Sequence, residues 1–160
     1  MSEPHWLSAD EIAAWTRLVA VVELLPGVLD SQLQRDAGVS HFEYFVLAML
    51  SETPGRMLRM TDLAASTNST LPRLSHVVAR LERRGLVART PCPQDRRATN
   101  AELTDAGWDL LVAAAPGHVE TVRHYVVDAL RPHQVRRLRE ICDTVLSRLD
   151  PEGRTTRLLR

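Results

Sequence analysis

TDLAASTNSTLPRLSHVVARLERRGLVARTPCPQDRRATNAELTDAG, residues 61–107, reads as two short helices, a strand, an arginine-tipped turn, a second strand and the start of another helix. That order predicts a winged helix-turn-helix. From Arg56 to Arg97 nine Arg stand against only Asp62, Glu82 and Asp95. The residues before Arg56 carry two Arg and eight acids, and those after Arg97 carry nine of each. A formal net charge of +0 thus hides a basic centre in an acidic frame, the electrostatic footprint of a face turned to nucleic acid.

Working outward, 160 residues suit a single domain, 1–160, with a real core. Hydrophobic content of 44% with only 4% aromatic points to aliphatic helix packing, so the expected fold class is mainly α. Every basic residue is Arg and none is Lys. Either a demand for planar forks that fit phosphates and guanine edges, or genome base composition, accounts for that. Cys92 and Cys142 are too far apart for metal spacing, and a disulfide framework is not expected. No basic-then-apolar leader opens the chain, and its uninterrupted apolar runs are short, so the expectation is a cytoplasmic protein without membrane contact.

Ser8 and Glu11 form a capping box ahead of Ile12, Trp15, Leu18, Val22, Leu25 and Leu29, a long first helix with a kink expected at Pro26-Gly27 and a stop at Gly38. Ser40 and Glu43 repeat the box before an apolar helix ending at Pro54-Gly55. Residues 57–60 suit a strand, and Thr61 is the expected cap of the short helix after it. The next helix starts near Ser69 or Thr70, tolerates Pro72 in its first turn and ends at Gly85. Its buried face is Leu74, Val77, Val78 and Leu81, so Arg73, His76, Arg80 and Arg83 are expected to project outward. Residues 86–90 and 100–103 read as strands, with a loop over 91–99. Thr104 caps a helix expected to break at Pro116-Gly117, and a last helix follows Pro132.

A helix fits the major groove of B-DNA, where exposed polar side chains can read base edges. The candidate contacts are Ser69, Thr70, Pro72, Arg73, Ser75, His76 and Arg80 on the helix, and Asp95, Arg96 and Arg97 at the turn. An Arg at such a tip suits the negative potential of a narrow minor groove, with Asp95 expected to orient its guanidinium. A solvated amphipathic face and a surface ion pair are the plainer readings of the same residues.

ARLERRGLVART followed by DRRATNAELTDAG resembles the signature of MarR-type transcriptional regulators, strongly over residues 60–107. The resemblance implies a homodimer, most often a repressor, with residues 40–107 as the winged DNA-binding region and the helices at 8–37 and 105–150 as intertwined dimerisation elements. It also implies that residues 70–84 form the recognition helix, that Arg97 is the wing-tip residue, and that double-stranded DNA is the partner. Many members carry an acidic residue where Cys92 stands here. The thiol is then either a small residue at a strand end or an oxidisable one.

By the same resemblance Trp15, Phe42, Phe45 and Trp108 are candidates to line a pocket for a small aromatic effector, with plain core as the alternative. His118 and His124 share no helix face, so neither metal nor cofactor is expected. No phosphate loop or nucleophile-base spacing suggests an enzyme. The alternative function is a winged-helix module that binds protein without DNA.

Overall fold

Both expected capping boxes form, because each rests on two residues three apart. Ser8 and Glu11 open α1 (Ala9–Ala37), and Ser40 and Glu43 open α2 (His41–Ser51). The computed structural model describes residues 4–93 and 95–155, without the side chain of Arg96. The chain continues through a short 3-10 turn into β1 (Met57–Arg59), α3 (Met60–Ser66), α4 (Leu71–Arg83), β2 (Val87–Cys92), β3 (Asp95–Leu103), α5 (Asp105–Val122) and α6 (Pro132–Leu149). The sheet is antiparallel in the order β1-β3-β2.

Several boundaries differ from the sequence expectation. Thr61 is not a cap, since α3 begins at Met60 with Arg59 in the cap position. The wing strands run further than residues 86–90 and 100–103, so that most of the expected 91–99 loop is strand, with a register shift between Pro91 and Cys92. Pro116 does not break α5, which runs on to Val122 and into a π-helical turn over Arg123–Val127. Pro26, where a kink and not an end was expected, also lies inside α1. A proline removes one backbone bond, and the packing of α5 against the end of α1 holds α5 across that loss.

The main core gathers Val46, Leu47, Leu50, Leu63, Leu74, Val78, Leu81 and Leu103 beneath α2, α3, α4 and the sheet. A smaller cluster of Leu33, Val39 and Ala114 joins the end of α1 to α5. The rest of α1 stands away from this core: Ile12, Trp15, Leu18 and Val22 are exposed, as are Val135, Leu138, Ile141, Val145 and Leu149 on α6. Cys142 is exposed on the same helix. By length and composition α1 is apolar enough to cross a bilayer, with mean hydropathy 1.7 over 18 residues. Scattered charges that shorten its uninterrupted runs had concealed this. Its last turns are nevertheless built into the protein core at Leu29, Gln32 and Leu33.

Candidate nucleic-acid interface

The turn of the helix-turn-helix is set by Asn68, whose φ of 47° lies in the left-handed region that Asn tolerates. The Asn68 and Ser69 N–H groups bond back to the Ala65 and Ala64 carbonyls, closing the end of α3. Thr70 then caps α4, its hydroxyl accepting from the Arg73 N–H at 3.4 Å, and Pro72 occupies the first turn where a missing donor costs nothing. At the other end Gly85, at φ 72°, supplies the left-handed stop. The Leu86 N–H bonds to the Leu81 carbonyl, so the chain turns directly into the wing.

This helix buries Leu74, Val78 and Leu81, with Val77 partly buried, and leaves Arg73, His76, Arg80 and Arg83 exposed. Ser75 is half-buried and Ser69 sits in the turn that leads in. The exposed arginines are not equivalent. Arg73 lies over the Phe42 ring, 4.7 Å from its centroid. Arg80 donates from Nε to Glu43 Oε1 at 2.6 Å, although a freely projecting side chain was expected. The Glu43 side chain is only 4% exposed, and its other oxygen accepts the Ser40 N–H of the capping box. One carboxylate therefore ties the start of α2 to the last turn of α4.

Three further cations of the basic centre are held by the fold. Arg84 donates to the Gly38 carbonyl at 2.9 Å. Arg56 lies over the Trp108 ring, 4.2 Å from its centroid, and reaches Asp105 at 3.4 Å. Arg89 donates from Nε and Nη2 to Glu82, which holds β2 against α4. Hydrogen bonding and the Arg89 charge lower the Glu82 pKa, and this contact raises that of Arg89. Arg59, Arg83 and Arg97 have no side-chain partner among the described residues and remain available to an external anion.

At the wing, Asp95 accepts the Arg97 backbone N–H at 3.0 Å, and among the described residues it makes no contact with the Arg97 guanidinium that it was expected to orient. The Arg96 side chain lies outside the described residues. Cys92 is buried at the end of β2, consistent with the small-residue reading. The wing base is fixed by Thr104, whose hydroxyl accepts the Gly107 N–H and donates to the Gly85 carbonyl at 2.6 Å.

The four aromatic candidates do not share one wall. Phe42 and Phe45 pack on the main core, Trp108 is covered by Arg56, and Trp15 is 58% exposed on the projecting half of α1. Sequence reasoning missed Glu43, Arg59 and Arg89 as determinants of this face. Glu43 carried a signal only as a cap residue; its partner Arg80 is distant in the chain.

A small core that presents one polar helix beside an arginine-bearing hairpin defines the winged helix-turn-helix class of DNA-binding regulators. Comparison with known proteins narrows the class. A sequence model of the MarR family matches residues 37–98. The crystal structure of Sco3205, a MarR family regulator from Streptomyces coelicolor in complex with DNA, is 48% identical, with 94% of each chain covered and a TM-score of 0.89. CouR from Rhodococcus jostii RHA1, crystallised with p-coumaroyl-CoA, is 26% identical over 92% of this chain and 97% of its own, with a TM-score of 0.73. The transcriptional repressor MprA of Escherichia coli K12 is 23% identical over 120 residues, covering 75% of this chain and 68% of MprA. The chain belongs to the MarR family of transcriptional regulators.

Proposed function

We propose that this protein is a cytoplasmic, homodimeric repressor that binds a pseudo-palindromic DNA operator and releases it on binding a small ligand. The observation that carries the reading is the face formed by α4 and the wing, with Arg73, Ser75 and His76 on the helix and, on the wing, Arg97, whose side chain has no partner among the described residues. A helix in the major groove reads base edges, and a wing along the flanking DNA fixes its register. The dimer is supported by the exposed apolar residues of α1 and α6, too extensive to leave in water on one chain. Two-fold symmetry then sets half-sites about 34–36 Å apart. Sco3205 in complex with DNA supports the DNA reading, MprA the sign of regulation, and CouR with its acyl-CoA the ligand.

The test is titration of the purified protein against the DNA upstream of its own gene, with a shuffled duplex as control. Tighter binding to the upstream duplex, with log affinity falling linearly in log salt, is the expected result. Equal affinity for both duplexes, independent of salt, would leave a protein-binding module as the better reading.

A further inference from the structure

Arg80 and Arg84 stand four residues apart at the end of α4 and so share one face of the helix, the face turned to the corner where α1 ends and α2 begins. We infer that Glu43 and Arg84 are positioning residues for DNA recognition: with Arg80 they moor the last turn of α4 to that corner, and so hold the two reading helices of the dimer at one separation. The inference rests on the dimeric, DNA-binding reading above and deepens it.

The mooring is built from bonds on both sides of the corner. Gly38 closes α1, and its carbonyl, beyond the last bond of the helix, accepts from Arg84 Nη1 at 2.9 Å. The carbonyl end of a helix carries partial negative charge, which suits a guanidinium. Two residues on, the Ser40 N–H donates to Glu43 Oε2 at 2.7 Å, and Oε1 of the same carboxylate accepts from Arg80 Nε at 2.6 Å. The next amide, that of His41, donates back to Asp30 Oδ1 on α1 at 2.8 Å. The corner is thus bonded on one side to the helix that carries the exposed apolar residues, and on the other to the reading helix. Elsewhere α4 lies mainly on α3 and β2, so Arg84 supplies the hydrogen bond that links the end of α4 to the end of α1.

The two halves of the mooring differ in what they give the fold. The Glu43 side chain is buried, and its bond to Arg80 satisfies a carboxylate oxygen out of water. Gly38 and Arg84 are both exposed, so water replaces their bond when Arg84 is shortened, and the fold loses little. What goes is a constraint on angle. Because α1 carries the contact face of the dimer, two-fold symmetry repeats any swing at one corner at the other, and the separation of the reading helices changes by both. Glu43, being buried, acts on DNA only through α4.

The test uses the full-length protein and the duplex from upstream of its own gene, with two derivatives that have one base pair added or removed at the centre of the protected site. One base pair moves the half-sites by about 3.4 Å and turns them by about 34°. Wild type is expected to bind the unaltered duplex at least about tenfold more tightly than either derivative. Arg84→Ala, at the surface, and Glu43→Gln, which keeps the capping box because Gln also accepts the Ser40 N–H, are each expected to reduce that preference to about threefold or less. A merely structural role weakens binding to the three duplexes in equal proportion. An unchanged preference in Arg84→Ala or in Glu43→Gln, or a wild type that binds the three alike, would overturn the mooring and leave the DNA reading in place. A wild type that binds none of them more tightly than a shuffled duplex would remove the DNA reading itself, and the mooring with it.

Discussion

Glu43 and Gly107 carry tasks that their neighbours in sequence do not reveal. The buried Glu43 carboxylate is satisfied by one amide of its own cap and by Arg80, which is itself about half exposed. Arg80→Ala leaves a buried acceptor without its donor, at a cost of about 1–3 kcal/mol. Arg73→Ala removes only a surface contact over Phe42, worth about 0.5–1 kcal/mol. The expected outcome is that Arg80→Ala lowers both melting temperature and DNA affinity, whereas Arg73→Ala lowers affinity with little change in melting. Equal melting losses in the two variants would show that Glu43 does not depend on Arg80. At Gly107 an added Cβ would lie 2.1 Å from the Leu86 carbonyl oxygen, a backbone atom that cannot step aside alone. Gly107→Ala is expected to destabilise by about 1–3 kcal/mol as overpacking, measured by urea unfolding. An unchanged midpoint would mean that α5 and the wing base are free to separate.

At the scale of elements, what could be read from the chain was what neighbours decide. Ser8, Ser40, Thr70 and Thr104 all cap helices, and Gly38 and Gly85 end them, because each signal needs only three or four residues. The strand ends, the continuity of α5 through Pro116 and the Arg80–Glu43 pair escaped, since partners from distant segments settle them. The candidate site divides the same way. Its helix was legible by period, but Arg89 joins it only through sheet register and its bond to Glu82.

The junction of α1, α2 and α5 was equally hidden. His118 there stacks with His41 at 6.2 Å and lies 4.6 Å from the Tyr44 ring, while Asp30 accepts the His41 backbone N–H and Gln32 bonds Asp36. Burial lowers the pKa of both histidines; the His41 charge lowers that of His118 further, and Asp30 opposes the shift at His41. The folded values therefore lie below the unfolded value of about 6.5, so the unfolded chain takes up protons first. Stability is full above that pH and is lost as pH falls below it. Melting is expected to occur at lower temperature at pH 5.5 than at pH 7.5, and His118→Gln is expected to reduce the difference. The same difference in both proteins would assign the loss to other groups.

For the whole molecule, the exposed stripe of α6 is the feature a single chain leaves unresolved. No residue of α6 is buried, yet Val135, Leu138, Ile141, Val145 and Leu149 repeat at helical spacing. Covered by a second copy, such a stripe becomes core, and a charge placed there becomes costly. Ile141→Asp is expected to give monomers in sedimentation at micromolar concentration and to lose most operator affinity. A dimeric variant with full affinity would move the interface elsewhere.

Length gives α1 a further property. Its 29 residues at 1.5 Å each make a rod of about 43 Å, anchored in the DNA-binding core at one end and bare at the other. Pro26 withholds one backbone bond near the border between those halves, so bending concentrates there. A bend there of only about 5° displaces the free end, about 26 Å away, by about 2 Å, a sizeable fraction of the rise of one helical turn. Geared in this way, a small change in how two chains seat against each other is sufficient to take their reading helices out of step with the DNA.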